Sequence, residues 1–258
     1  MYGLYLKHLM LRTPLEVPAF WMRALAQLPA RIRHPELHEI HVEDSRIAKL
    51  LRAKLGPESS CIDVGCHIGG MLAKFLRTSP RGRHVGFEPL GYKAQWLRKK
   101  FPEVELHNAA LAEAEGEAEF AENLARPGFS SLGAPADSYG GSRMIRVRCE
   151  TLDGLLDHPQ RFALLKIDVE GAELFVLRGG RKLIGRDSPL ILFESSHDGA
   201  ARLGLTREAL FDFLHDDLDY RVYLIKDFLA GSKPLDLAGF QQAAVYPFQA
   251  FNFVATRG

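Results

Sequence analysis

The chain has 258 residues, 47% of them hydrophobic and 25% charged, a balance that suits one large α/β domain and excludes a disordered or fibrous chain. Lys and Arg number 33 against 32 Asp and Glu, a formal charge of +1, so the overall field gives no reason to expect nucleic acid as a partner. Cys61, Cys66 and Cys149 are too few for a disulfide framework and show no C-x-x-C zinc spacing, which fits a reducing cytoplasm.

In residues 1–34, charges and prolines interrupt every apolar run, so no membrane span or signal peptide is expected there. Arg12, Arg23, Arg31 and Arg33, among Leu, Phe and Trp, could form a basic amphipathic face with weak peripheral membrane contact. A helical cap packed on the domain is the plainer reading. Leu37, Ile40, Ile47, Leu50, Leu51 and Leu55 fall at helical spacing and stop at Gly56-Pro57. This divides an N-terminal helical segment, 1–57, from a domain over 58–258.

From there short apolar runs alternate with helical stretches, the rhythm of parallel strands joined by crossover helices. Cys61–Val64 reads as the first strand, Met71–Arg77 as a helix, His84–Phe87 as the second strand, Leu90–Lys100 as a helix and Val104–His107 as the third strand. Between Glu117 and Cys149 the rhythm fails: a strand at each end encloses a Gly/Ser/Pro-rich loop, and its stretch Arg126–Gly141 is expected to act as a lid. Leu164–Val169 is the fourth strand, followed by a helix from about Ala172, and Leu190–Glu194 is the fifth. Thr206 suits the N-cap of a helix over Arg207–Leu218. Arg221–Ile225 and Phe251–Ala255, joined by a loop without an obvious helix, complete seven strands as an antiparallel pair at the edge. The expected fold is a doubly wound, mostly parallel α/β sheet.

The sharpest motif is Asp63-Val-Gly65-Cys-His67-Ile-Gly69-Gly70, where a buried strand turns into a helix. Glycines there permit a tight turn and close approach of a ligand, although an ordinary strand-to-helix turn needs them too. A dinucleotide fingerprint reads G-x-G-x-x-G; this loop reads G-x-x-x-G with a carboxylate before it, which would repel a pyrophosphate. S-adenosylmethionine, with a sulfonium and an ammonium, is compatible with that charge. Glu88, nineteen positions after Gly69, stands where an acid accepts ribose hydroxyls, or is a surface charge. On Leu164-Leu-Lys166-Ile-Asp168-Val-Glu170-Gly171, strand alternation puts Lys166, Asp168 and Glu170 on one side, lining a crevice or forming a structural ion pair. His197, after the fifth strand, is a candidate base or an incidental histidine. The acids near it specify no metal, and none is expected.

Taken together these strings resemble the FkbM-type methyltransferases, class I enzymes dependent on S-adenosylmethionine. The resemblance rests on Asp63 to Gly69, Phe87-Glu88-Pro89, Asn108 to Leu111, Ser130-Ser131-Leu132, Thr151-Leu-Asp153, Lys166 to Glu173 and Phe193-Glu194, and covers about residues 59 to 196. It implies a seven-stranded fold and transfer of methyl to a hydroxyl on a sugar, glycan or secondary metabolite. By the same resemblance Asp63, Gly65 and Gly69 surround the methionine part of the cofactor, and Glu88 the ribose. Asn108 falls near the adenine, while Asp168 and Glu170 face the transferred methyl. His67-Ile68 departs from the family's usual residues and could alter contacts to the methionine part. Asp168 is the preferred base and His197 the second. A nucleotide-dependent oxidoreductase and a non-catalytic binding protein on the same scaffold remain as alternatives.

Overall fold

The computed structural model describes residues 10–15, 18, 22, 28, 29, 31–125, 127–133, 141–195 and 197–257, the side chains of Pro127, His197 and Asp198 excepted. A one-turn helix, His38–His41, leads into α1, Glu43–Lys54. The strands are β1 (Ser60–Val64), β2 (Val85–Phe87), β3 (Glu105–His107), β4 (Ala110–Leu111), β5 (Gly116–Asn123), β6 (Ser131–Leu132), β7 (Ser142–Glu150), β8 (Phe162–Ile167), β9 (Leu190–Glu194), β10 (Tyr220–Leu224) and β11 (Asn252–Arg257). The remaining helices are α2 (Gly70–Thr78), α3 (Gly91–Lys100), α4 (Glu173–Arg178), α5 (Arg181–Asp187), α6 (His197–Arg202), α7 (Arg207–Asp212), α8 (Ile225–Ala230) and α9 (Leu237–Gln242).

The main sheet runs β10-β11-β9-β8-β1-β2-β3. Pairings from β9 through β8, β1 and β2 to β3 are parallel, while β11 runs antiparallel to both β9 and β10. The reversed strand therefore sits one place in from the edge. Period-two alternation explains why both faces are covered. Ile62 and Val64, Leu165 and Ile167, Ile191 and Phe193, Phe253 and Ala255 enter one core with α4, α5, α7 and α9. Cys61, Leu164, Leu192 and Val254, from the intervening positions, enter a second core with α1, α2 and α3. The same parity and the β1–β8 register place Asp63 opposite Lys166.

The elements match the expected order, with instructive differences at their ends. Strand β8 stops at Ile167 rather than Val169, because the backbone turns left-handed at Glu170, φ +56°. Alternation therefore covers Lys166 but does not extend to Glu170. Thr206 does cap α7, its Oγ1 accepting from Ala209 N at 3.0 Å, and the helix continues as a π turn over Phe213–Asp217. The connection from β10 to β11 holds α8 and α9, six residues each and held by packing more than by propensity.

A second sheet, β4-β7-β5-β6, fills the stretch where the rhythm failed. Strands β5 and β7 form a long antiparallel pair from Gly116↔Cys149 to Asn123↔Ser142, and β6 joins β5 from within the expected loop. Phe120, Leu132 and Val147 pack beneath it with Leu90, Ala110 and Ala172. Residues 126 and 134–140 of the expected lid lie outside the described residues. No described helix is long and apolar enough to cross a membrane.

Candidate active site

A cavity of about 640 Å³ opens at the carboxyl ends of β1, β2, β8 and β9, the edge at which open α/β sheets bind ligands. Its floor is Val64, Gly65, Phe87, Asp168, Val169 and Glu194, and the second sheet roofs it with Phe120 and Leu132 beside Phe129 and Ser130. Ser130 is tied into that roof by its hydroxyl, which accepts from Asn123 N at 3.0 Å.

At the β1 exit Gly65 adopts φ +81°, and a Cβ there would lie 1.9 Å from the carbonyl oxygen of Asp168. This glycine is required because the β1 and β8 exits touch. Gly65 N and Cys66 N both donate to Phe87 O at 3.0 Å, so the loop is closed against β2. His67, also left-handed at φ +52°, lines the cavity and donates its backbone N–H to Glu88 Oε2 at 2.8 Å. Gly69 has a different reason to be glycine: a Cβ would meet Phe101 at 2.2 Å, in the core behind the loop.

Glu88 is 3% exposed and lines the cavity. Its Oε1 accepts from Leu90 N at 3.0 Å, so with the His67 bond both oxygens are held in place and each keeps a second lone pair. Burial pushes this carboxyl above its ordinary value, and Lys93 works against that. Asn108 lies off the cavity wall; its side-chain amide donates to Glu88 O at 3.0 Å and Pro89 O at 2.9 Å, fixing the loop that presents Glu88.

Lys93, on the first turn of α3, is 3% exposed and lines the cavity. Burial lowers its pKa, while Glu88, Glu122 and Glu170 oppose the shift. Sequence reasoning misses it, because nothing in a mixed polar helix separates it from surface lysines; its place five residues after Glu88 is the signal available.

Asp63 is fully buried behind the wall rather than on it. Lys166 Nζ lies 3.3 Å from Asp63 and 3.1 Å from Asp168, and donates to Gly65 O at 3.2 Å. Burial alone would lower the Lys166 pKa, but Asp168 and Asp63 hold it above its ordinary value, so it stays an ammonium.

Asp168, Glu170 and Glu194 bring a carboxylate oxygen each within 4.8 Å of one another. Among the described residues they are the one group of three or more such side chains close enough to share a cation, and no metal is assigned to them. Burial, then Asp168 and Glu173, push Glu170 up to about 8. Burial, then Asp168 and Glu170, push Glu194 well above the carboxylate range. Such crowding favours the protonated forms of Glu170 and Glu194. His197 opens α6, and its side chain lies outside the described residues.

Of the residues singled out in the sequence, Gly65, His67, Glu88, Asp168 and Glu170 thus meet at one cavity. Asp63, Gly69 and Asn108 support it from behind. Glu194 and Lys93 complete the wall.

Residues 63–224 match the family described as the methyltransferase FkbM domain, which is more than half of the chain, and the chain belongs to that family. AmbE, the AMB antimetabolite synthetase of Pseudomonas aeruginosa, is 28% identical over 164 residues, 48% of this chain. The matched stretch is only 8% of that much longer relative. Among solved structures, methyltransferase FkbM from Methylobacillus flagellatus superposes with a TM-score of 0.44 at 15% identity, over 78% of this chain and 44% of that one. CalS10, an amino pentose methyltransferase from Micromonospora echinaspora solved with SAM bound, gives 0.34 at 14% identity over 59% and 50%.

Proposed function

We propose that this chain transfers the methyl group of S-adenosylmethionine to a hydroxyl on a sugar, glycan or secondary metabolite. The observation that carries the reading is Glu88: a buried carboxylate on the cavity wall, both oxygens fixed by backbone N–H groups, beside the tight turn that Gly65 permits. That arrangement suits the two hydroxyls of a ribose. Glu88 and Asp168 place carboxylates on the wall, which suits a cationic donor better than the pyrophosphate of a dinucleotide. Membership of the methyltransferase family supports it, and the name of the antimetabolite synthetase relative is in keeping with a biosynthetic acceptor.

S-adenosylmethionine supplies, when bound, a methyl group already activated on a sulfonium. The chain's own contribution is position and proton removal. Lys166, 3.1 Å away, holds the Asp168 side chain in place at the β8 exit, fit to orient the acceptor hydroxyl. Glu170, raised in pKa and without a cation at bonding distance among the described residues, is the stronger base and takes the hydroxyl proton as the oxygen–methyl bond forms and the sulfur–methyl bond breaks. This assigns the proton to Glu170 in place of Asp168, the base preferred from the sequence, and His197 stays the second candidate. A cytoplasmic setting is in keeping with three free, buried cysteines, and a small acceptor with the net charge of +1.

Calorimetric titration with S-adenosylhomocysteine and with NAD tests the cofactor, and transfer of labelled methyl to a panel of sugar and metabolite hydroxyls tests the acceptor. S-adenosylhomocysteine is expected to bind and NAD to give no heat. Binding of NAD alone would overturn the reading.

A further inference from the structure

We infer that Glu173, which does not touch the cavity, is a positioning residue whose carboxylate oxygen holds the Val169–Gly171 turn and so aims Glu170 and Asp168 into the site. The inference rests on the methyl-transfer reading above for what the two acids do. Glu173 is the first residue of α4 and is 3% exposed. One oxygen, Oε1, accepts from Gly171 N at 3.0 Å and from Val169 N at 3.4 Å, bracketing Glu170 on both sides.

The bracketed backbone does not rest in this shape unaided. Glu170 is a left-handed non-glycine residue, a conformation that persists only where its surroundings impose it. Gly171, at φ +110°, is pressed so closely on α6 that a Cβ would stand 2.1 Å from the carbonyl carbon of Gly199. The turn is thus pinned from outside by the α6 backbone and from inside by one side-chain oxygen. Removing that oxygen frees Val169 N and Gly171 N together and lets Glu170 relax away from the cavity.

A turn-holder needs only the oxygen, so an amide at 173 serves as well as a carboxylate. The test compares Glu173→Ala, Glu173→Gln and Glu173→Asp in the full chain by three measurements. These are amide exchange of residues 168–172, affinity for S-adenosylhomocysteine, and turnover with the wild type's best acceptor from the hydroxyl panel. In Glu173→Ala the exchange should quicken and turnover fall at least about tenfold, the scale of a sub-ångström misplacement. Affinity for S-adenosylhomocysteine should stay within about twofold, because Glu88 and Gly65 are untouched. Glu173→Gln should restore turnover and exchange.

If the alanine variant does not fold, Glu173→Asp decides. It keeps the charge but withdraws the oxygen from Gly171 N, and is expected to lose turnover likewise. Wild-type turnover in the alanine or aspartate variant overturns the inference, as does a glutamine variant as slow as alanine. So does loss of S-adenosylhomocysteine affinity in step with turnover. Failure of the wild type to bind S-adenosylhomocysteine overturns the methyl-transfer reading instead, and the exchange comparison still decides the role of Glu173.

Discussion

Lys166 and Gly65 meet through a single bond, the lysine ammonium donating to the glycine carbonyl at 3.2 Å, and that bond ties the exit of β8 to the exit of β1. The same ammonium lies 3.3 Å from Asp63 and 3.1 Å from Asp168. Position and charge of the site's floor therefore share one residue.

Replacing Lys166 with Met should destabilise the protein by about 3 to 5 kcal/mol, the cost of leaving a buried partner uncompensated. Asp63, fully buried opposite it, is that partner. In urea unfolding, the double variant Lys166→Met with Asp63→Asn should recover part of the loss. A double variant no more stable than the single one would show that the pair is not what the lysine stabilises.

The two loop glycines should fail differently. Gly65→Ala forces a Cβ onto the carbonyl of Asp168 at the cavity wall, whereas Gly69→Ala forces one onto Phe101 in the core. The first should cost S-adenosylhomocysteine affinity most, and the second thermal stability. Adding Phe101→Ala should relieve the Gly69→Ala clash in part. Equal losses of affinity and stability in both variants would contradict the separation.

Glu88→Ala should weaken S-adenosylhomocysteine binding by about 1 to 3 kcal/mol, the range for losing a charged hydrogen-bond partner. Calorimetry on the folded variant measures it, and an unchanged Kd removes Glu88 from the ribose.

Activity and stability should move in opposite directions as pH rises. Glu170 must lose its proton to act as a base, so turnover should climb through pH of about 8. Folded Glu170 and Glu173 titrate near 8 and 7, both raised first of all by burial. In the unfolded chain each ionises at its ordinary value, so the unfolded state binds fewer protons between that value and the folded one. Their contribution to stability is therefore lost with rising pH across that window. Glu170→Gln should abolish the rise in turnover, and a variant that keeps the same limb assigns the proton to another group.

Much of the fold is legible in the sequence because the central strands are buried on both faces and stand out as mostly apolar runs, as Cys61–Val64 and Leu190–Glu194 do. Helices α8 and α9 are not, since six residues give too few turns for periodicity to show. Strand β6 is two residues long and owes its existence to pairing with Phe120 and Ala121. Among the site residues, Gly65 and Glu88 could be read from motif and spacing. The direction of Glu170 could not, because alternation assumes an extended chain and the backbone reverses hand there. Asp63 and Gly69 belong to the same motif as Gly65, and only packing separates the residue that faces the cavity from the two that brace it.

The roof over the cavity comes almost entirely from one continuous stretch, β5 to β7, joined to the main body's side through the two pairings Ala110↔Cys149 and Leu111↔Glu150. Glu88, Gly65, Asp168, Glu170 and Glu194 all come from outside that stretch. On the methyl-transfer reading, exchanging residues 116 to 150 should alter which molecules the roof admits while leaving Glu88, Gly65 and the three clustered acids in place.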